Sequence, residues 1–263
     1  MTNRGAASFA SKYGPWAVVA GASEGLGAAF ATALAARGLN LILIARRAEA
    51  LETVAAGVRG TVEVRTLPFD LARADLATAL GELATTHEIG LGVYNAAFAP
   101  IGPFAGRPVD DLARVVDVNV RGPLMFARAL APAMVTRGRG GIVLMSSLAG
   151  DVGAPRIATY AASKAFNTVL GQGLWREFRD AGVDVLACSA GAIRTPGFAA
   201  ASGKDAPGTL DADVVATRTL DALGRGPSIV PGAVNKVARF VLGRLLPRRT
   251  AIDIFAQSTK DLT

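Results

Sequence analysis

W-A-V-V-A-G-A-S-E-G-L-G, residues 16–27, is the stretch that decides the fold. An apolar run centred on Val18 and Val19 stops at Gly21, two more glycines follow at Gly25 and Gly27, and A-A-F-A-T-A-L-A then takes up a helical pattern. A short apolar run closed by glycine reads as a buried strand. Glycine at the strand-to-helix turn admits a tight bend and lets backbone N–H groups reach a pyrophosphate at the helix N-terminus. The spacing is G-x-x-x-G-x-G, unlike the better-known G-x-G-x-x-G dinucleotide pattern. Such turns also serve packing alone, so the weight here comes from the position after the first strand.

Outward from this unit, short apolar runs alternate with longer helical patterns, the signature of repeated βαβ units. Strands are expected at 16–21, 39–45, 61–67, 89–95, 140–146, 183–189 and 227–231, and helices at 25–37, 48–58, 73–86, 109–137, 156–181 and 211–223. L-N-L-I-L-I-A at 39–45 is apolar on both alternating faces, as a strand covered by helices on both sides must be. The expected class is α/β: a single-domain, Rossmann-type, doubly wound sheet of seven mostly parallel strands over residues 1–263, helices on both faces. The loosest stretch, P-G-F-A-A-A-S-G-K-D-A-P-G-T at 196–209, follows a strand's carboxyl end, where ligands bind in open α/β sheets. Residues 190–225 are therefore read as a substrate lid.

A chain of 263 residues that is 51% hydrophobic can bury one large core. The net charge of +7 favours anionic ligands. Only Lys236, Arg239, Arg244, Arg248 and Arg249 concentrate that charge, and too few aromatic residues accompany them for base stacking, so no nucleic-acid partner is expected. The single cysteine, Cys188, sits in the apolar V-D-V-L-A-C and reads as a buried small hydrophobe. The opening M-T-N-R-G-A-A-S-F-A-S-K-Y-G does not read as a signal peptide, and no apolar stretch reaches the roughly 18 residues of a spanning helix. A cytoplasmic location is expected. His87, the only histidine, reads as a solvent-facing loop residue, and no metal cluster is seen.

The chemistry is carried by Y-A-A-S-K at 160–164 and by Ser147, which ends G-G-I-V-L-M-S-S. Positions i and i+4 share a helix face, so the Lys164 ammonium can stand beside the Tyr160 phenol. A cation there stabilises the phenolate and lowers a pKa that is ordinarily about 10. Ser147, at a strand end, would hold a substrate oxygen, and it lacks the histidine partner of a hydrolase triad. The second strand ends L-I-L-I-A-R-R, with Arg46 and Arg47 where an acidic residue would favour the ribose hydroxyls of NAD. Guanidinium groups pair with a 2′-phosphate, so the expected cofactor is NADP(H).

Taken together, the chain resembles the short-chain dehydrogenase/reductase family over nearly its whole length. The glycine turn, F-D-L at 69–71, Y-N-A-A at 94–97, N-V-R-G at 119–122, S-S at 146–147, Y-A-A-S-K and S-A-G-A-I-R-T at 189–195 follow the family's order and approximate spacing. The resemblance implies a catalytic set of Asn119, Ser147, Tyr160 and Lys164, with Asn119 holding a water that links Lys164 to solvent. It implies cofactor contacts from Gly21, Ser23, Gly25, Leu26 and Gly27, from Asp70 and Leu71 at the adenine, and from Asn95 beside the adenosine ribose. Ile193 and Thr195 would meet the nicotinamide carboxamide, and Tyr160 and Lys164 would also touch the cofactor. Departures from the family pattern stand at Ala20, Tyr94, Phe98 and Ala190, and Phe98 is expected to add bulk near the nicotinamide or substrate.

From Val234 the pattern V-N-K-V-A-R-F-V-L-G-R-L-L-P-R-R puts Val234, Val237, Ala238, Val241 and Leu245 on one helical face, with basic residues opposite. Residues 232–263 thus read as an amphipathic extension, packed against its own or a neighbouring subunit in preference to an anionic membrane touched through 234–249. The expected activity is NADP(H)-dependent interconversion of a ketone and a secondary alcohol on a lipophilic, steroid-like or acyl-derived substrate. A non-catalytic NADP(H)-binding sensor or scaffold and a membrane-recruited lipid ketoreductase are the alternatives. The resemblance also implies a homodimer or homotetramer.

Overall fold

Apolar residues on both faces of the successive strands drive helices onto both sides of one sheet. The structure, a computed structural model, describes residues 3–202 and 205–260. Its strands are β1 (Trp16–Ala20), β2 (Asn40–Ala45), β3 (Val64–Pro68), β4 (Ile89–Tyr94), β5 (Gly140–Ser147), β6 (Val183–Ala190), the two-residue pair β7 (Ile193–Arg194) and β8 (Leu210–Asp211), and β9 (Ser228–Ile229). The main sheet has seven strands, all parallel, in the order β3-β2-β1-β4-β5-β6-β9. The helices are α1 (Asn3–Tyr13), α2 (Gly25–Ala35), α3 (Ala48–Ala56), α4 (Leu76–Thr86), α5 (Val109–Val116), α6 (Gly122–Arg137), α7 (Ala158–Arg179), α8 (Pro196–Ser202), α9 (Ala212–Ala222), α10 (Ala233–Phe240) and α11 (Arg248–Thr259).

Alternation along the strands sorts the core into two layers. Val19, Leu43 and Val93 pack with Phe30 and Leu34 of α2 and Leu220 of α9 on one face. Val18, Ile42 and Leu144 pack with Leu80 of α4 and Phe126 and Leu130 of α6 on the other. Strand order reverses beside β1, between β2 and β4, which opens a crevice at the carboxyl ends of β1 and β4. No helix among the described residues is long and apolar enough to cross a membrane.

All seven expected strands occur, with shifted ends: 61–67 starts only at Val64, and 227–231 shrinks to Ser228–Ile229. The expected helix 109–137 is α5 and α6 joined by a π-helical stretch, Asp117–Arg121. Helix α1 is additional, and 196–209 is more ordered than expected, since it carries α8 and leads into β8. Positions 203–204 of the expected lid and 261–263 of the expected extension lie outside the described residues, as do positions 1–2 of the opening segment. His87 caps α4 and packs edge-on against Trp16, with ring centroids 4.7 Å apart, so it is half-buried and not a free loop residue.

Of the packings expected for the extension, that of the valine face on its own chain does not occur. Val234 and Val237 are 56% and 62% exposed, whereas Asn235 is buried and donates through Nδ2 to the Gly208 and Pro231 carbonyls, both at 3.0 Å. The valine face is therefore not packed on its own chain, because two backbone acceptors beneath α10 are satisfied by the amide instead. The helical pattern also breaks: α10 passes into a π-helical stretch, Val241–Leu245, and Pro247 begins a new helix, α11.

Candidate active site

The turn after β1 permits an unusually close backbone approach. Gly21 has φ +83°, and a Cβ there would lie 2.6 Å from the backbone of Ala96 beyond β4. A Cβ on Gly27 would stand 1.9 Å from the Gly21 carbonyl oxygen, so α2 can rest on the turn only without one. Asn95 donates through Nδ2 to that same oxygen at 2.9 Å and fixes the turn from the β4 side. Glu24, at the N-cap of α2, makes no side-chain cap bond, and the first helical turn holds no acidic residue. The N-terminus of α2 is thus left without a capping carboxylate among the described residues, and a diphosphate fits the cradle its N–H groups form.

A cleft of about 790 Å³ runs from this turn across the strand ends, within the size range of small-molecule sites. Gly21, Ser23, Gly25, Leu26, Arg46, Arg47, Asp70, Leu71, Asn95, Phe98, Ser147, Tyr160, Lys164, Ile193 and Thr195 all line it. Gly27 and Asn119 stand behind its wall.

The two arginines after β2 are not equivalent. Arg47 is held by Glu24 through a 2.6 Å ion pair, with the Ser23 hydroxyl 3.5 Å away. Arg46 is exposed and makes no salt bridge among the described residues. Asp70 accepts from Arg114 Nη2 at 2.8 and 3.0 Å and from the Ala72 N–H at 3.0 Å. Partial burial pushes its carboxyl pKa up, but the bonds from Arg114 and Ala72, with the charges of Arg114 and Arg46, bring it below the ordinary value. Arg114 also stands over the Phe98 ring, 5.7 Å from its centroid. Arg114 and Glu24 both line the cleft and were not singled out in the sequence. A lone arginine on an amphipathic helix carries no local sign of facing inward.

Asn119 is fully buried in the π-helical stretch. Its Oδ1 accepts from the Phe98 N–H at 2.8 Å, and its Nδ2 donates to the Phe98 carbonyl at 2.9 Å and to Ser163 Oγ at 3.0 Å. Both N–H groups and the oxygen of the amide are engaged in bracing the loop after β4. The departure at Tyr94 is accommodated by a glycine: its hydroxyl donates to the Val118 carbonyl at 2.6 Å, where a Cβ on Gly122 would come within 2.0 Å.

Ser147 ends β5, and Tyr160 and Lys164 lie one turn apart on α7. Lys164 Nζ is 5.5 Å from the Tyr160 ring centroid and donates to the Met145 carbonyl at 3.0 Å. Ser146 faces the helix, donating to the Lys164 carbonyl at 2.7 Å, and thereby ties β5 to α7. Burial pushes the Tyr160 phenol above its ordinary pKa, opposed by hydrogen bonding with Ser147. This corrects the expectation that Lys164 lowers it: the ammonium is directed at a backbone carbonyl, and burial outweighs the opposing pull. Burial also depresses Lys164 itself, to about 8, while Cys188 pulls slightly the other way. Cys188 is buried, as expected, with its thiol pushed up to about 12 by desolvation.

Over the glycine turn lies the segment after β7. A Cβ on Gly25 would meet Thr195 Cγ2 at 2.9 Å, and Thr195 Oγ1 accepts from the Phe198 N–H at 3.2 Å as α8 begins. Phe198, Ile157 and Met145 add apolar lining that the motifs did not mark.

A family model for short chain dehydrogenases matches residues 15–205. The chain is 35% identical over 191 residues to a 7beta-hydroxysteroid dehydrogenase of Clostridium sardiniense, covering 72% of this chain and 73% of that one. It is 34% identical over 183 residues to a very-long-chain 3-oxoacyl-CoA reductase of Coprinopsis cinerea, spanning 67% of this chain but only about half, 54%, of that relative. Among solved structures, one presented as giving insights into 7beta-hydroxysteroid dehydrogenase stereoselectivity matches with TM-score 0.86 at 25% identity, covering 94% of this chain and 98% of the other. A short-chain dehydrogenase from Sphingobium yanoikuyae in complex with NADPH matches with TM-score 0.77 at 31% identity, covering 86% and 91%. A cradle for a diphosphate, a tyrosine and lysine one turn apart beside a strand-end serine, and a match through most of the sheet have one meaning: this chain belongs to the short-chain dehydrogenase family of oxidoreductases.

Proposed function

We propose that the chain is an NADP(H)-dependent oxidoreductase that interconverts a ketone and a secondary alcohol on a lipophilic, steroid-like or acyl-derived substrate. The observation that carries this reading is the meeting of Ser147, Tyr160 and Lys164 in the cleft that begins at the glycine turn. NADP(H) brings hydride donation or acceptance to this cleft. Gly21, Ser23, Gly25 and Leu26 cradle its diphosphate, with Gly27 behind them letting α2 close on the turn, Asp70, Leu71 and Asn95 take the adenosine, and Ile193 and Thr195 take the carboxamide. Arg46 grips the 2′-phosphate, because its exposed guanidinium makes no salt bridge among the described residues, and Arg47 supports it after leaving Glu24.

Tyr160 holds the transferable proton at its phenol oxygen. Its raised pKa keeps it protonated at neutral pH, which suits donation to a carbonyl oxygen and hence reduction. Ser147 orients that oxygen, Lys164 binds the nicotinamide ribose, and Asn119 positions the loop bearing Phe98. Phe98 contributes bulk on the substrate side. The apolar lining from Met145, Ile157 and Phe198 supports a lipophilic substrate, as do the steroid and long-chain acyl compounds in the names of the relatives. The test is NADPH oxidation against a panel of steroid ketones and 3-oxoacyl thioesters, with NADH in parallel. Turnover of a member with NADPH preferred is expected, and no turnover with any of them sinks the reading.

We also propose a cytoplasmic homodimer or homotetramer. Val116 of α5, Leu124 and Val135 of α6 and Val169 of α7 are exposed, a set of apolar side chains suited to self-association. Light scattering on the purified chain decides between monomer and oligomer. The outward Val234, Val237 and Phe240 support a second contact, with a neighbouring subunit or a membrane surface.

A further inference from the structure

One residue ties the C-terminal helices to the loop that carries Ser147. Asp151 ends the 3-10 turn Leu148–Asp151, four positions after Ser147, and faces two guanidinium groups from far along the chain. Arg239 of α10 approaches its carboxylate with Nε at 3.1 Å from Oδ2 and Nη2 at 3.2 Å from Oδ1. Arg248, the first residue of α11, donates to its backbone carbonyl at 2.7 Å. Desolvation holds the Asp151 carboxyl above its ordinary pKa, against the opposing pull of Arg239 and Arg248, so the pair stands where solvent screens it less than at an open surface. The same turn is pinned from behind: a Cβ on Gly150 would lie 2.6 Å from the Ala165 N of α7. The turn therefore has α7 on one side and the C-terminal helices on the other.

The face that α11 turns toward this turn is apolar. Ile252 lies over Gly153, where a Cβ would meet it at 3.8 Å. Phe255 packs against the buried cluster of Ala149, Ala154 and Ala161, as Ile157 and Tyr160 also do. Ile157 and Tyr160 also line the cleft, so Phe255 backs the wall against which a substrate would rest. Both helices lie beyond the stretch matched by the family model.

We propose that Asp151 is a positioning residue that latches α10 and α11 against the turn after Ser147, behind the Ile157 and Tyr160 wall of the cleft, and that Phe255 is a specificity-determining residue acting through that wall to favour bulky apolar ketones over small ones. The inference rests on the proposed ketone/alcohol activity and adds which part of the chain selects the substrate. A rigid wall lowers the cost of ordering a large apolar group against it, whereas a small ketone does not reach that far. Binding of the adenosine and diphosphate, at the other end of the cleft, is indifferent to it.

The experiment uses the full chain. Asp151→Asn, Asp151→Glu, Phe255→Ala and Phe255→Leu are compared with wild type for NADPH affinity, by nucleotide fluorescence, and for kcat and KM with a steroid ketone and with cyclohexanone. Asp151→Asn is expected to raise KM for the steroid ketone by about 5–20-fold, to leave NADPH affinity and kcat on cyclohexanone within about twofold, and to be partly rescued by Asp151→Glu. Phe255→Ala is expected to narrow the preference for the steroid ketone about tenfold, and Phe255→Leu to preserve it. Equal losses on both ketones overturn the specificity role. Hydrogen exchange on the cofactor-free protein reads the latch without turnover: Asp151→Asn should raise exchange across 233–259, and unchanged exchange overturns the latch whether or not either ketone is a substrate. Failure of wild type on every ketone with exchange altered as expected removes the proposed activity and the specificity role of Phe255, but leaves the latch in place.

Discussion

In the region from β1 to α7 most of the groups lining the cleft stand at strand ends, in the turns that follow them, or on the 22-residue α7, with Leu26 of α2 and Arg114 of α5 beside them. In the region from β9 to α11, elements are short and are fixed by side-chain clasps: Asn235 on the Gly208 and Pro231 carbonyls, and Arg239 and Arg248 on Asp151. The first region takes its geometry from backbone hydrogen bonding and two buried sheet faces. The second takes it from a few polar contacts, each removable by one substitution. The proposed roles suit this division, chemistry on a frame of the first kind and substrate choice on one of the second, because tolerance of sub-ångström displacement is small for the former and large for the latter.

The comparison breaks most severely if Tyr160 proves dispensable. Tyr160→Phe is expected to lower turnover by at least about 10²–10⁴-fold while NADPH still binds, read by steady-state kinetics beside nucleotide fluorescence. Near-normal turnover would remove the chemistry from α7 altogether.

Lys164 sharpens it through stability. Its pKa falls from an ordinary 10.5 to about 8, so between those values the unfolded chain binds more protons than the folded one, and folding stability rises with pH. Below pH 8 the full penalty applies, on the order of 3 kcal/mol. Cofactor-free Lys164→Met should therefore be inactive yet gain thermal stability over wild type below pH 8, with the gap closing toward pH 10 in calorimetry. A gap independent of pH contradicts the burial argument.

Arg46→Ala should reduce kcat/KM for NADPH by about 10–100-fold and change that for NADH much less, the worth of a charge-assisted hydrogen bond. Arg47→Ala should do less, since Arg47 begins in an ion pair with Glu24. An equal effect of the two would erase the distinction drawn between them.

In the C-terminal region, Asn235→Ala should cost about 1–3 kcal/mol by leaving buried carbonyls without a donor. The exposed Val237→Ser should stay within about 0.5 kcal/mol in urea unfolding at low protein concentration. The reverse ranking would mean that the valine face is the buried one.

Much of the β1–α7 region was legible because its signals are local and repeated. W-A-V-V-A and L-I-L-I-A are apolar on both faces, which only a sandwiched parallel strand tolerates, and the glycines of the first turn are demanded by contacts under 3 Å to Ala96 and Gly21 itself. Arg114 was not legible, because its pairing with Asp70 joins residues 44 positions apart that no spacing rule connects. The valine periodicity after Val234 was legible as a helix but misleading as to its inner face, since periodicity registers where apolar residues recur and not which backbone acceptors lie beneath.

By itself the sequence determined the seven strands of the main sheet, the glycine turn after β1, and the presence of a tyrosine and lysine at helical spacing with a serine at a strand end, because each follows from residue type and near-neighbour spacing. Only the tertiary structure decided that Lys164 bonds the Met145 carbonyl, that Glu24 pairs with Arg47 while Arg46 makes no salt bridge among the described residues, and that Asp151 meets Arg239 and Arg248 of the C-terminal helices. Those outcomes depend on burial and on partners brought together from distant parts of the chain, and neither quantity is written in any local stretch of residues.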